Sequence, residues 1–298
     1  MSAVAYRELT FQAIYATNQG NPMPLGSGPE GARRTDRRVL ESKFLVSGLL
    51  AGMAVLAAVA LSPRVQIFLG PGVPEPVYRA AVLSAALLLE LSFLWTVGLQ
   101  ILPTFLGSRI LPTLATLPLP AEDRDRAALL VFLRLFDLPI LTLLVLMPLL
   151  TGLALRSVVG GLALLPGVVA TVLLALGLAL ATGDHFVRRV QSSPTGRSAS
   201  AVRWGFLLLW ALPAFAVYAF VSFSPELLGG LATLAVQDPR GLAALMLLFP
   251  FPYALLPSLA LPGGAAALGL GPWAVPLVLL SAVAYAFALA ALAGWLKT

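Results

Sequence analysis

The sequence contains no cysteine and very little charge, and each of these deficits excludes a class of protein. Without cysteine among its 298 residues, the chain can form neither a disulfide scaffold nor a thiolate metal site, and thiol catalysis is excluded. Only 11% of the residues are charged, against about 25% in a typical soluble domain. With 59% hydrophobic residues and a mean hydropathy of +0.93, the chain is predicted to be a polytopic membrane protein.

Lysine is also scarce, because the chain has only Lys43 and Lys297. A phosphate-binding loop of the form Gly-x-x-x-x-Gly-Lys-Ser/Thr needs a lysine after its glycines, and neither lysine stands in that pattern. The single histidine, His185, has no companion ligands for a metal ion. We therefore expect no catalytic residue, no metal site and no cofactor in this chain, so any nucleotide would bind a separate subunit.

Long apolar stretches predict an all-α fold with six transmembrane helices. About twenty helical residues cross a 30 Å hydrocarbon core, and six stretches are long enough: 44–61, 80–102, 127–155, 161–182, 204–223 and 273–296. Before them, residues 1–43 are predicted to form a cytoplasmic interfacial helix and a linker, and residues 44–298 the transmembrane domain.

A seventh apolar stretch, residues 241–260, contains Pro250, Pro252 and Pro257. Each proline removes a helix hydrogen bond, and broken backbone at membrane depth needs protein or a water-filled cavity to satisfy its polar groups. We interpret residues 224–271 as a re-entrant hairpin before the last helix; a full crossing, giving seven spans, is the alternative.

The net charge of +6 indicates an orientation. With a cytoplasmic amino terminus, thirteen basic residues fall on cytoplasmic segments and four on outside loops. This asymmetry follows the positive-inside rule, so we predict a multi-pass protein of the cell membrane and no nucleic-acid partner.

Glu90 lies near the middle of the second predicted span, where a charged side chain costs roughly 2.5 to 3.5 kcal/mol on insertion scales. Arg134 and Asp137 lie in the next apolar stretch. A proton or substrate site is one interpretation of these intramembrane polar residues. The preferred one is an ion pair between Glu90 and Arg134 that ties two helices together, because a buried acid with an available partner is usually neutralised.

The sequence Asp137-Leu138-Pro139 suggests a different geometry. Aspartate caps helix amino termini and proline is favoured in the first helical turn, so a new helix could begin here. Residues 121–136 would then form a separate amphipathic helix at the interface, and Arg134 would lie at headgroup level.

A dense charge cluster, residues 122–126, follows Leu117-Pro118-Leu119-Pro120. The prolines end one helix, and the acidic residues suit the positive end of the next helix dipole. Such a short, charged helix could dock a partner or could be an ordinary solvated turn.

The run from Arg109 to Pro120, followed by a charged helix start and a long apolar helix, resembles the region after the second span of ABC-2 type exporter permeases. The interfacial amino-terminal helix, six spans and a hairpin before the last span are similar as well. The resemblance implies a permease that dimerises with itself or a second permease and docks an ABC ATP-binding subunit, which binds ATP and Mg²⁺. The coupling helix would contribute six docking residues: Leu117, Pro118, Glu122, Asp123, Arg124 and Arg126.

Two other functions stay open. Glu90 could serve a proton-coupled secondary transporter, or the chain could be a membrane assembly protein without transport. Gly48 and Gly52 form a Gly-x-x-x-Gly pattern on the first span, which allows close helix approach and predicts a dimerisation face.

Overall fold

A computed structural model describes residues 29–69, 74–106, 133–192, 247–263 and 274–295, together with residues 218, 226 and 230. All regular structure in these ranges is helical, which confirms the predicted all-α class. The helices are α1 Pro29–Ala60, α2 Pro63–Leu69, α3 Glu75–Leu106, α4 Asp137–Leu155, α5 Val158–Ala163, α6 Leu165–Ser192, α7 Phe251–Leu259 and α8 Ala274–Trp295.

Four stretches of helix in the described residues are long and apolar enough to cross a membrane: Leu40–Ala60, Glu75–Leu99, Asp137–Ala154 and Val158–Gly183. Their 18 to 26 residues correspond to about 27 to 39 Å. They overlap the first four predicted spans. The predicted fifth span, 204–223, lies outside the described residues apart from Tyr218, and the sixth corresponds to α8, which contains a shorter apolar stretch, Val275–Ala291.

The chain divides into two compact units. The first contains Met1–Leu49, Val97–Leu141 and Ala179–Phe206, and the second contains Leu50–Thr96, Thr142–Leu178 and Leu207–Thr298.

The first helix begins earlier than its apolar stretch. We predicted a linker up to residue 43, whereas α1 starts at Pro29 and continues into the span. Proline is favoured in the first turn of a helix, and after Gly31 no glycine or proline interrupts the chain before Gly48. Polarity keeps residues 29–39 out of a bilayer but does not stop them from being helical.

Burial differs sharply among the spans. In the Glu75–Leu99 segment of α3, 67% of the most apolar window is buried, against 22% for Leu40–Ala60 and 28% for Asp137–Ala154. Large apolar side chains on the less buried helices, such as Leu56 and Leu153, are exposed. Apolar side chains facing outward are what a lipid solvent requires, so α3 lies inside the protein and α1 and α4 present surfaces for lipid.

The predicted third span is divided. Residues 133–135 are helical, Phe136 is a turn residue, and α4 begins at Asp137. The Asp137 Oδ1 atom accepts a hydrogen bond of 2.7 Å from the Leu138 amide. A continuous span over 127–155 is therefore wrong, and the alternative, a new helix starting at Asp137-Leu138-Pro139, is confirmed. The physical reason is that a carboxylate satisfies amides at a helix start and proline needs no amide partner there.

Helices α4 and α5 are joined by a two-residue turn. The Ser157 amide donates to the Gly152 carbonyl at 2.9 Å and the Arg156 amide to the Leu153 carbonyl at 3.2 Å, as in a Schellman motif. Arg156 has a φ of 51°, in the left-handed region that glycine usually occupies. A side chain there costs roughly 1 to 2 kcal/mol, so Arg156 occupies a position that would favour glycine.

The α4–α5 contact depends on glycine at its centre. A Cβ atom added at Gly161 would lie 2.5 Å from the Pro148 carbonyl oxygen and 2.9 Å from the Gly152 Cα atom. Both neighbours are backbone atoms and cannot rotate away. The two helices therefore touch backbone to backbone, which is the arrangement that small residues permit in membrane proteins.

The proline-rich stretch folds as a turn, the short helix α7 and a second turn, over residues 247–263. Nine residues make about 14 Å of helix, less than half of a bilayer core. Pro252 occupies the first turn, where its missing amide costs nothing. The rest of the predicted hairpin, 224–271, lies outside the described residues apart from Glu226 and Gly230.

Aromatic residues attach α7 to its neighbours. The Tyr253 hydroxyl donates to the Ala282 carbonyl at 2.7 Å, and the Tyr285 hydroxyl donates to the Leu247 carbonyl at 3.1 Å and accepts from the Phe249 amide at 3.0 Å. The Phe249 ring contacts both tyrosine rings edge-on, with centroids 6.0 Å and 5.7 Å away. The Tyr285 side chain of α8 thus satisfies two backbone groups of the turn before α7.

Candidate functional site

Glu90 is completely buried within the Glu75–Leu99 span. Neither of its carboxyl oxygens has a hydrogen-bond partner among the described residues. The predicted ion pair with Arg134 is therefore not formed, and the interpretation of Glu90 as one end of a structural tie is wrong. An ionised carboxylate buried without a partner costs several kcal/mol, whereas the uncharged acid costs far less.

The contact between α3 and α6 shows what lies at the height of Glu90. A Cβ added at Gly167 would come within 3.4 Å of Leu87 Cδ1, and one added at Gly98 would lie 2.6 Å from Ala179 Cβ. Leu87 of α3 thus contacts Gly167 of α6, and Gly98 of α3 contacts Ala179 of α6. Because the residue number rises along both helices in the same direction, the two helices run parallel. Glu90 follows Leu87 by about one turn of α3. It therefore lies at the height of the residue about one turn after Gly167 on α6.

Thr171 stands at that level on α6. It is 0% exposed, and its hydroxyl also lacks a hydrogen-bond partner among the described residues. Two buried polar side chains without partners therefore occupy the same height of two adjacent helices. Sequence analysis did not identify Thr171, because a lone threonine in an apolar run carries no signal until its neighbouring helix is known.

Arg134 and Asp137 lie at the start of α4, and both are exposed. Arg134 precedes the apolar stretch Asp137–Ala154 and Asp137 is its first residue, so their depth in a membrane stays a prediction. The Lys43 ammonium group donates to Asp137 Oδ1 at 2.6 Å and to the Arg134 carbonyl oxygen at 2.6 Å. Lys43 thereby connects the entrance of the first span to the break before α4.

This connection, which we call the Lys43 joint (Lys43, Arg134 and Asp137), was missed in the sequence. The Lys43 side chain is 12% exposed and the Asp137 side chain 47% exposed. One acceptor is a carboxylate and the other is a backbone carbonyl beside the helix break, so a single cation binds both. The pairing spans 94 residues of sequence, which no local pattern reveals.

The six predicted docking residues, Leu117, Pro118, Glu122, Asp123, Arg124 and Arg126, lie outside the described residues. Their role remains a prediction. The described chain resumes at residue 133, three residues before the break at Phe136.

Gly48 and Gly52 are exposed on α1, and a Cβ added at either would meet nothing within 4 Å. They make no close helix contact within the described chain. The described glycines at close helix contacts include Gly98, Gly152, Gly161 and Gly167. A dimerisation role for Gly48 and Gly52 stays a prediction, which their exposure permits.

Within the described residues, no group of three or more His, Asp or Glu side chains could hold a metal ion. Comparison of the chain with protein-family models, curated proteins and solved structures found no match. The class of the protein therefore follows from its fold: apolar helices of spanning length, with a buried acid inside one of them, define an α-helical membrane protein.

Proposed function

We propose that the chain is the membrane-spanning permease subunit of an ABC exporter. In this function, a separate subunit binds and hydrolyses ATP, and the permease converts the resulting movement into a change of conformation that exports a substrate. Two permease subunits, identical or different, surround the pathway. The chain itself performs no covalent chemistry.

The observation that carries the proposal is the helix break at Phe136. A docking segment must lie at the membrane surface as an element separate from the span that it moves. Among the described residues, a break at Phe136 precedes α4, which begins only at Asp137, and this supports a docking segment at residues 117–126 that is separate from the span. In a continuous helix over 127–155 those charges would instead have been the direct extension of a membrane span.

The Lys43 joint and the short helix α7 support the same function. The joint links residues 134–137, which follow the proposed docking residues, to the first span. A displacement of the docking segment would therefore be transmitted to the first span through two short hydrogen bonds. Helix α7, which is too short to cross, precedes the last helix, as does the hairpin in the family that the sequence resembles.

Affinity purification of the tagged chain from its native membrane tests the proposal. We expect an ABC ATPase to copurify, and we expect the double variant Glu122→Arg/Asp123→Arg to lose it, because reversed charges would repel the docking surface. Glu226→Arg, a charge reversal at an exposed residue outside residues 117–126, should retain the ATPase. A chain that purifies alone and transports without nucleotide would contradict the proposal. Copurification without substrate-stimulated ATP hydrolysis would instead favour an assembly protein.

A second candidate function is a proton-coupled secondary transporter, and Glu90 is the observation that favours it. A buried carboxyl group without a partner can exchange a proton when the protein opens to water on one side and then on the other. Thr171 at the same height could accept or donate one hydrogen bond to the acid during such a cycle.

The two candidates differ in their energy source. In proteoliposomes with an imposed pH gradient and no nucleotide, a proton-coupled transporter should accumulate substrate, and Glu90→Gln should abolish that accumulation. Thr171→Val, which removes a hydroxyl but no titrating group, should weaken transport without removing its dependence on the gradient. Accumulation that is unchanged in Glu90→Gln would eliminate this candidate.

A further inference from the structure

An apolar groove of about 560 Å³ lies along α4, α5 and the start of α6. Its walls are leucine, valine and proline side chains, including Val145, Leu149 and Leu162. The groove exists because Gly152 and Gly161 bring the two helix backbones together and place no side chains between them. Over half of the surface of each of the three wall residues is exposed, so the groove opens to the surroundings of the helices.

One end of the groove is cationic. Arg156 and Ser157 line it at the turn between α4 and α5, where the span ends. Arg156 is exposed, and its guanidinium group makes no hydrogen bond or ion pair with any residue that the structure describes. From Leu144 to Arg156 the groove follows about 18 Å of helix, from the interior of the span to its end.

The backbone conformation of Arg156 also points to a role for its charged side chain. Its left-handed conformation favours glycine, and the Schellman turn would form more easily with glycine. An unfavourable residue in such a conformation is a reason to look for a role of its side chain. Here the side chain places a positive charge at the end of an otherwise apolar groove.

We propose that this groove binds one anionic phospholipid of the surrounding bilayer, with an acyl chain along α4 and its phosphate group on Arg156. The charge of the groove complements an anionic headgroup, because an arginine guanidinium forms charge-assisted hydrogen bonds with phosphate; in the predicted orientation this lipid lies in the outer leaflet. The apolar length below it complements an acyl chain and offers no polar partner to a peptide or a nucleotide. The proposal does not depend on the transport mechanism.

Native mass spectrometry of the full chain, with phosphatidylglycerol and phosphatidylcholine of identical acyl chains, tests the headgroup assignment. We expect the chain to prefer the anionic lipid about fivefold, since one arginine near a membrane surface contributes roughly that factor. Arg156→Gly should abolish the preference. Arg64→Gly, at an exposed arginine outside the groove, should keep it.

The same Arg156→Gly variant separates lipid binding from folding. Since glycine suits the left-handed turn, the variant should be at least as stable as the parent chain in detergent without added lipid. Loss of stability together with loss of lipid preference would show that Arg156 is structural and would overturn the proposal. A preference that survives in Arg156→Gly, or that Arg64→Gly also removes, would overturn it as well.

Filling the groove tests the acyl-chain assignment. Leu149→Trp should reduce retention of both lipids, because the indole ring, which is larger than the leucine side chain, occupies the groove. In this cysteine-free chain, Leu149→Cys also reports on the competing occupant, a second copy of the chain. Efficient disulfide dimers through that cysteine in membranes would place protein on the groove and contradict lipid occupancy, whereas its modification by a photoreactive or thiol-reactive phospholipid would support it.

Discussion

At the scale of single residues, Lys43 is the side chain whose loss we expect to matter most at the membrane surface. It satisfies a carboxylate and a backbone carbonyl at once, both at 2.6 Å. Replacing it with methionine keeps the aliphatic length but removes both hydrogen bonds. Because Asp137 is about half exposed, screening limits the loss, and we expect Lys43→Met to destabilise the chain by about 1 kcal/mol.

A double-mutant cycle of Lys43→Met and Asp137→Asn, measured by unfolding in mixed micelles, isolates the pair. We expect a coupling of about 0.2 to 1 kcal/mol, the range for partly exposed ion pairs. Arg64→Met, at an exposed arginine near the other end of α1, is the matched control and should change stability little. Strictly additive single effects would mean that the Lys43 joint does not hold the two helices together.

At the scale of helices, the α4–α5 contact and the surface of α1 predict opposite effects for the same substitution. Gly161→Ala would push a methyl group against the Pro148 carbonyl oxygen and the Gly152 Cα atom, so the helices must separate. We expect a loss of about 1 to 3 kcal/mol, as for overpacked cores. Gly48→Ala meets nothing within 4 Å and should stabilise the helix by up to about 1 kcal/mol.

Unfolding of both variants side by side, with the parent chain, decides between these expectations. If Gly161→Ala were as stable as Gly48→Ala, the backbone contact of α4 with α5 would be absent. If Gly48→Ala instead destabilised only the dimer, measured by dilution in detergent, the glycine pair on α1 would be confirmed as a dimerisation face.

The helices also show which features a sequence can reveal. Apolar length located four spans, and Asp137-Leu138-Pro139 located the start of α4, because both signals lie within a few turns of one helix. The Gly-x-x-x-Gly pattern predicts a close helix contact at Gly48. A close contact within the described residues instead joins Gly152 and Gly161, which belong to different helices. Lys43 and Thr171 were missed for the same reason: their importance depends on which helices become neighbours.

At the scale of the whole molecule, the distribution of charge makes a prediction that the absence of cysteine makes easy to measure. Thirteen basic residues against four predict a cytoplasmic amino terminus, and the carboxyl-terminal ends of α1 and α4 should then face outward. In intact cells, cysteines introduced by Arg64→Cys and Arg156→Cys should react with a membrane-impermeant thiol reagent. Ser42→Cys, at the opposite end of the first span, should react only after the membrane is permeabilised.

The position of the carboxyl terminus distinguishes six crossings from seven. Thr298→Cys should be protected in intact cells if the chain crosses six times and accessible if the proline-rich stretch crosses as well. Since helix α7 covers only about 14 Å, we expect protection. Labelling of Ser42→Cys from outside would show that the orientation is the reverse of the predicted one, and the proposed docking segment would then lie on the side without ATP.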